Sequence, residues 1–203
     1  MDLSVIIPVH NLEDWLQPLL DSLAMQKFSI EMELIFVCDY CTDNTKAILE
    51  DWVANQSTYL NVIILEAQVG SCGEARNVGL EWAKGKYIQF VDGDDWFTVD
   101  YVFQKLFEKA EEFKRPLVRF YYTSNTFPAV WDVMVWQYLF RRDLIGDIRF
   151  TSIQPGEDDE FMAKIRALPN FSEITIPYVF YYYNYCRLGS NTEQFGSKGK
   201  IEL

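Results

Sequence analysis

Residues 90–97 read Phe-Val-Asp-Gly-Asp-Asp-Trp-Phe, so three carboxylates follow directly on an apolar run. Residues 86–91 are rich in the aromatic and β-branched side chains that strands favour, and Gly93 interrupts the run. The acids are therefore predicted at the carboxyl end of a buried strand, the edge at which open α/β sheets bind ligands. Carboxylates there suit a hard divalent cation, Mg²⁺ or Mn²⁺, which often bridges to substrate phosphates. A solvated acidic turn is the alternative, because Asp and Gly are also common in turns.

The residues before this stretch alternate between strand and helix patterns. Strands are predicted at residues 3–9, 33–37, 60–65 and 86–92. Apolar side chains recur at helical spacing between them, in residues 12–23, 45–53 and 75–82. This order predicts an α/β fold with a mostly parallel central sheet flanked by helices.

Regularity decreases after the acidic stretch. The patterns predict a helix at 101–113, a strand at 117–122, a short helix opened by the acids at 157–160 and a last strand at 174–183. Residues 131–150 show no regular period. We predict one domain over residues 1–190 and a polar, mobile tail over residues 191–203.

Composition limits the class of protein. The chain has 203 residues, of which 49% are apolar and 16% aromatic, which is enough for one sizeable core. Its formal charge of −12 argues against binding nucleic acid through phosphates. The N-terminus lacks the basic start of a secretory signal, and no apolar run approaches the roughly 20 residues that span a bilayer. We therefore expect a cytoplasmic protein. The sequence does not decide whether it contacts the inner face of the membrane peripherally or forms homo-oligomers.

Four cysteines occur, and Cys38 and Cys41 form a C-x-x-C pair that is typical of zinc and redox sites. A second such pair is missing from the sequence, and His10 is its single histidine. Reduced thiols of a cytosolic protein are therefore the favoured interpretation.

Five sequence blocks in order resemble the family 2 glycosyltransferases of the GT-A fold, which are inverting enzymes that use nucleotide-sugars. The blocks are the opening strand and turn at 4–11, the second strand and its loop at 36–45, Ala-Arg-Asn-Val-Gly-Leu at 75–80, the aspartate region at 85–95, and Gly-Glu-Asp at 156–158. The chain departs from the family pattern at Cys38, where an acid is usual, and at Cys41, where serine is usual. The resemblance implies a nucleotide-sugar-binding half over 1–97 and an acceptor-side half over 98–190.

The resemblance also implies roles for the donor-binding residues. Pro8 and Val9 would border the base, and Asp39 would accept a hydrogen bond from it, although an aspartate in this place is also a common loop cap. Arg76 would lie beside the base or the acids, with a surface helix position as the alternative. Arg187 would clamp the diphosphate.

Asp92 and Asp94 would hold the metal ion under the same resemblance, with Asp92 near the ribose or the metal and Asp94 on the metal itself. Asp95 would orient these groups or the acceptor, or would cap a helix. Trp136 resembles a family tryptophan that could stack on a sugar, with a core position as the alternative.

Inversion requires a base that takes the proton of the acceptor hydroxyl. Asp158 is our choice and Asp159 the rival, with Glu157 as a further acceptor contact. The alternative is that these acids only stabilise a helix N-terminus.

The resemblance thus implies transfer of a sugar from a UDP-hexose or UDP-N-acetylhexosamine to a hydroxyl of a glycan or glycolipid, as in polysaccharide biosynthesis. Transfer to a polyprenyl phosphate and a noncatalytic nucleotide-sugar binder are the alternatives. A nucleotidyltransferase would need a Gly-rich basic loop after the first strand, which residues 8–14 lack. A phosphohydrolase would need its aspartates after the first strand, whereas these follow the fourth.

Overall fold

Strands and helices alternate along the chain in the computed structural model, which describes residues 1–55, 60–125, 134–153, 155–185 and 190. Within these ranges the strands are β1 Leu3–Val9, β2 Met32–Asp39, β3 Asn61–Ala67, β4 Tyr87–Phe90, β5 Trp96–Phe97, β6 Leu117–Ser124, β7 Tyr138–Arg141 and β8 Glu173–Tyr183. The helices are α1 Gln17–Ala24, α2 Thr45–Asn55, α3 Cys72–Trp82, α4 Val102–Phe113, α5 Arg142–Ile145 and α6 Glu157–Arg166.

One sheet joins all the described strands in the order β3-β2-β1-β4-β7-β6-β8-β5. The first four of these are parallel to one another, with Ile6 of β1 placed between Ile35 of β2 and Phe90 of β4. The second part is mixed, because β7 runs antiparallel to β4 and β6, β8 runs parallel to β6, and β5 runs antiparallel to β8. The predicted α/β fold with a mostly parallel sheet is confirmed.

Apolar residues cover both faces of this sheet. Every residue of β1 and β2 is buried, as expected for parallel strands packed on both sides. On one face, Phe90 makes edge-to-face contacts with Phe140, Phe150 and Phe161. These contacts pack the end of β4 against α6. Helix α6 also carries Asp158, which lies near Asp92.

Helix α1 begins later than its apolar period predicts. The leucines at 12 and 16 are buried, yet the helix begins only at Gln17, with proline in its first turn. The backbone N–H of Leu12 donates to Thr45 Oγ1 at 2.6 Å, and Asn11 has a positive φ of 49°. Residues 11–16 therefore form a turn in which the backbone N–H of Leu16 donates to the carbonyl oxygen of Leu12, and the contact with Thr45 at the start of α2 holds Leu12 in the core.

Strands β5 and β7 were not predicted. β7 lies in the segment that lacks a period, and its four residues pair with β4 and β6. Such short strands form because distant partners are already in place, so local sequence carries little signal for them.

No helix in the described ranges combines the length and the apolar character needed to cross a bilayer.

Gly85 provides a test of how tightly β4 approaches β1. A Cβ at this position would lie 2.4 Å from the backbone nitrogen of Ser4 and 2.6 Å from the carbonyl carbon of Leu3. Because these are backbone atoms of a buried strand, they cannot rotate away. We expect Gly85→Ala to lower the free energy of unfolding by about 3 kcal/mol, the upper end for overpacking, as measured by urea denaturation. The exposed neighbour Lys84 is the control, since Lys84→Ala should change stability by less than about 0.5 kcal/mol; equal values for the two variants would contradict this account.

Candidate active site

Three chain segments bring charged side chains together beyond the carboxyl end of β4. Asp92 lies two residues beyond the end of β4, Arg76 comes from the middle of α3, and Asp158 lies in the first turn of α6. Arg76 donates from Nη2 to Asp92 Oδ1 at 2.6 Å and from Nη1 to Asp158 Oδ1 at 2.8 Å. We call these three residues the Arg76 triad.

The triad is a desolvated ion-pair network. The side chain of Arg76 is 3% exposed and that of Asp158 is 12% exposed, whereas that of Asp92 is 22% exposed. The Arg76 guanidinium also lies over the ring of Phe150, at 5.4 Å from its centroid. Because two carboxylates share one cation, the network has one net negative charge when both carboxylates are ionised.

Asp158 is held by two donors and is perturbed by its surroundings. Its Oδ2 accepts the backbone N–H of Val135 at 3.0 Å, while Oδ1 accepts from Arg76. Burial raises the pKa of Asp158 to about 6, and the charge of Arg76 partly opposes that rise. A carboxyl group with this pKa is ionised at neutral pH and can accept a proton from a bound hydroxyl.

A hydrogen bond and a close approach to β1 fix the position of the turn after β4. The backbone N–H of Asp92 donates to the hydroxyl of Tyr181 at 3.0 Å. Gly93 allows the turn to approach β1, because a Cβ there would lie 2.8 Å from Val9 Cγ1 and 2.6 Å from Leu12 Cδ1. Asp92 and Asp94 are half-buried at the carboxyl edge of the sheet, which we call the rim, and a ligand can reach them there.

Trp136 and Asp95 belong to the support of this turn. Trp136 is fully buried and stacks on Tyr181 with ring centroids 4.5 Å apart, so the structure gives it the core position instead of a sugar-facing one. Asp95 is 1% exposed, and its Oδ1 accepts the backbone N–H of Asn184 at 2.7 Å. Burial, followed by the charges of Asp94 and Asp92, raises the pKa of Asp95. Neither side chain presents a surface to an acceptor in this structure, and neither caps a helix.

Asp39 organises the loop beside the predicted base site. Its two carboxylate oxygens accept the backbone N–H groups of Val69 and Gly70, each at 2.8 Å, so it serves as a loop cap. Each oxygen keeps a second lone pair, which leaves room for a donor from a base. The side chains of Pro8 and Val9 are buried within β1, so these residues can border a base only through the backbone.

The acids at the start of α6 point in different directions. Asp158 is buried, whereas Asp159 is exposed to solvent. Glu157 is half-buried, and its Oε2 accepts the backbone N–H of Gly156 at 3.1 Å. Arg187 lies outside the described residues.

The rim fits a cation that is shared with a phosphate group. Among the described residues, His, Cys, Asp and Glu side chains form no group of three or more that could hold a metal alone. Asp92 and Asp94 supply two carboxylates, and Mg²⁺ typically takes one or two carboxylates together with substrate phosphates and water. The residues therefore suit a metal–diphosphate site, and the C-x-x-C pair is not part of a described metal cluster.

Sequence reasoning missed two groups that shape this site. The hydroxyl of Tyr181 accepts the backbone N–H of Asp92. The backbone N–H of Val135 donates to Asp158 from a segment without any period. Alternation along β8 buries Ile176 and Phe180 and would point Tyr181 outward, but the register shifts there and Tyr181 is buried as well. Nothing in the spacing connects either group to the acids.

Comparison with known proteins places the chain in context. The family described as "Glycosyl transferase family 2" matches residues 4–165. EpsJ of Bacillus subtilis (strain 168), described as an uncharacterized glycosyltransferase, is 30% identical over 75% of this chain and 54% of its own. The poly(ribitol-phosphate) beta-N-acetylglucosaminyltransferase TarS of Staphylococcus aureus (strain Mu50) is 41% identical over 48% of this chain and 17% of its own. The chain thus spans about half the length of EpsJ and less of TarS.

Solved structures agree with the fold. S. aureus TarS 1-349 in complex with UDP-GlcNAc superposes with a TM-score of 0.81 at 27% identity, over 95% of this chain and 61% of that one. The mannosyltransferase PcManGT of Pyrobaculum calidifontis, solved with GDP-Man and Mn²⁺, has a TM-score of 0.76 at 18% identity, over 92% of this chain and 58% of that one. The predicted GT-A fold is confirmed.

Proposed function

The chain belongs to glycosyltransferase family 2, and from this premise we propose that it transfers a sugar, with inversion, from a UDP-linked donor to an acceptor hydroxyl. The donor would bind over residues 1–97 and the acceptor beside residues 98–190. A UDP-hexose or UDP-N-acetylhexosamine is the proposed donor, since the similar TarS structure contains UDP-GlcNAc.

One observation carries the proposal: the buried carboxylate of Asp158 and the rim aspartate Asp92 both pair with the guanidinium of Arg76. Asp158 would take the proton of the acceptor hydroxyl as the hydroxyl oxygen bonds to the anomeric carbon and the bond to the diphosphate breaks. Inversion follows because base and leaving group lie on opposite faces of the sugar, as in inverting glycosidases. Arg76 orients Asp158 and favours its ionised form.

A divalent cation, Mn²⁺ or Mg²⁺, is the proposed cofactor, held by Asp94 with help from Asp92. When bound, it neutralises the diphosphate and stabilises the charge on the leaving group. Asp92 contributes less to the ion because its Oδ1 already accepts from Arg76. The turn that carries these aspartates has a fixed position at the rim, because the hydroxyl of Tyr181 accepts the backbone N–H of Asp92.

The acceptor is proposed to be a hydroxyl of a glycan or glycolipid in polysaccharide biosynthesis at the cytoplasmic side of the membrane. The relative TarS is named as a poly(ribitol-phosphate) beta-N-acetylglucosaminyltransferase, which supports a polymer that carries hydroxyl groups as the acceptor. A polyprenyl phosphate is the second candidate, and it is distinguished by a phosphate oxygen as the nucleophile. Such a nucleophile arrives without a proton at neutral pH, so the transfer would lose its requirement for the base Asp158.

Removal of Asp94 tests the metal-dependent donor site. We expect Mn²⁺ to tighten UDP binding to the native chain by at least about tenfold, or about 1.4 kcal/mol, as measured by calorimetry. Asp94→Asn should remove that gain, because the amide has no charge to hold the cation.

Asp100→Asn is the matched control for this prediction. Asp100 lies six positions along the chain, and its carboxylate pairs with Lys27 instead of facing the rim. The control should keep the full effect of Mn²⁺. If Mn²⁺ tightens UDP binding equally in both variants, the metal assignment is contradicted. If the native chain binds UDP but neither hydrolyses nor transfers sugar from any of a panel of UDP-sugars, the noncatalytic alternative is favoured.

A further inference from the structure

The C-x-x-C pair forms a sharp turn at the carboxyl end of β2. Cys38 is the penultimate residue of the strand, and Cys41 lies two residues beyond its end. Tyr40 between them has a positive φ of 48°, a conformation that turns the chain back on itself. The turn places both thiols on the wall of one cavity.

The two cysteines differ in access. Cys38 is 3% exposed, whereas Cys41 is half-buried and donates to the carbonyl oxygen of Val9 at 3.4 Å. Both line a cavity of about 280 Å³ whose other walls are Tyr40, Lys46, Glu66, Ala67 and Gln68. A small polar reagent can therefore enter the cavity, with Cys41 as the more accessible sulfur and Cys38 behind it.

The environment also separates the two thiols chemically. The neighbouring Cys38 thiol lowers the pKa of Cys41 to about 7, an effect that burial opposes and that the backbone N–H of Asn11 supports. The Cys41 thiol and burial raise the pKa of Cys38. Cys72, a third cysteine in the described chain, is half-buried like Cys41, but loss of solvent around its sulfur raises its pKa. Since the thiolate is the nucleophile, Cys41 is the reactive member of the pair and Cys72 is expected to react more slowly.

We propose that Cys38 and Cys41 are a peroxide-sensitive modification site that closes to a disulfide beside the donor site. The Cys41 thiolate attacks one oxygen of hydrogen peroxide, the O–O bond breaks, and the departing hydroxide takes a proton to leave as water, which gives a sulfenic acid. The Cys38 sulfur then attacks the Cys41 sulfur and passes its proton to the hydroxide that departs from the sulfenic acid, so a second water leaves as the S–S bond forms. Peroxide is reduced by two electrons and the dithiol is oxidised by two; a dithiol reductant reverses the change.

The disulfide would alter the loop that carries Asp39. An S–S bond of about 2.05 Å is much shorter than the contact distance of two unbonded sulfur atoms, so the turn at 38–41 should contract as the bond forms. Asp39 lies inside that turn, and it holds Val69 and Gly70 by their N–H groups. The backbone oxygen of Asp39 also lies 2.7 Å from His10 Nδ1. Contraction should therefore displace the loop that borders the proposed base pocket, and this consequence rests on the proposed function.

The test oxidises the full chain with hydrogen peroxide, quenches with catalase, and measures free thiols, peptide masses and UDP affinity with Mn²⁺. We expect loss of two thiols per chain, a cross-link between Cys38 and Cys41 in the peptide map, and UDP affinity at least about tenfold weaker. Dithiothreitol should restore both thiols and affinity.

Three variants make the test specific. Cys41→Ser should form no disulfide and keep its UDP affinity after peroxide. Cys38→Ala should stop at a sulfenic acid on Cys41 that dimedone traps. Cys72→Ser should behave like the native chain, because Cys72 takes no part.

The outcomes separate this proposal from the proposed function. If Cys41 is oxidised no faster than Cys72, or if no cross-link forms, the modification site is overturned. If the cross-link forms and UDP affinity does not change, the effect on the donor loop is overturned. If the reduced chain fails to bind UDP, the donor assignment fails, while the thiol and mass measurements still decide whether the site exists.

Discussion

Asp158→Asn should lower the rate of sugar transfer by about a thousandfold while UDP affinity changes by no more than a few-fold. The amide keeps the size of the side chain but cannot take the acceptor proton. It also offers one acceptor oxygen where the carboxylate offers two, to Arg76 and to Val135, so stability should fall as well. Steady-state kinetics and calorimetry at a temperature where the variant stays folded separate the loss of the base from unfolding.

Asp159→Asn is the matched control, because Asp159 is exposed in the same helical turn. It should leave the rate nearly unchanged, whereas a large loss would move the base to Asp159. The pH dependence gives a second measurement on the native chain. The pKa of Asp158 is about 6, and the base must be ionised, so kcat/KM should rise up to about pH 6 and then level. That limb should disappear in the residual activity of Asp158→Asn.

Arg76→Met should cost about 3–5 kcal/mol of unfolding free energy at pH 7.5, because it leaves two carboxylates near each other without their buried cation. The loss should shrink at pH 5. Arg76 lowers the pKa of Asp158, so without it that pKa rises further. A raised carboxyl pKa adds stability below the unfolded value of about 3.9, and this stability is lost as pH rises through the folded value. Urea denaturation at both pH values measures the effect.

Arg141→Met is the control for the loss of an arginine ion pair. Arg141 pairs with Asp143 near the surface, where the two side chains are 32% and 68% exposed. Such pairs contribute about 0–1 kcal/mol, so this variant should be nearly as stable as the native chain at either pH. Equal losses for Arg76→Met and Arg141→Met would show that the triad is not a desolvated network.

The periodic part of the fold could be predicted from local sequence. The bounds of β1 agree with the prediction at Leu3 and Val9, since every residue there is apolar or small and both faces are buried. The start of α1 and the strands β5 and β7 could not be predicted, because they depend on partners far along the chain. Thr45 holds the backbone of Leu12 from 33 positions away, and β7 forms only where β4 and β6 are in place to pair with it.

The candidate site likewise contains residues that local sequence predicts and residues that depend on distant partners. The acids after β4 are visible as a strand followed by a turn, and the resemblance to a family pointed to Arg76 and Asp158. The local sequence could not choose between Asp158 and Asp159, because that choice depends on Arg76 and on the N–H of Val135. The burial of Trp136 and Asp95 likewise follows from contacts with β8 and with the residue after it.

The Arg76 triad also sets an order of events during synthesis on the ribosome. Arg76 and Asp92 are 16 positions apart, whereas Arg76 and Asp158 are 82 positions apart. A nascent chain that ends after β4 can already pair its arginine with the rim aspartate, but the side chain proposed to deprotonate the acceptor has not yet been made. Under the proposed function, a chain that ends before α6 lacks its base, so sugar transfer has to wait until α6 has been synthesised.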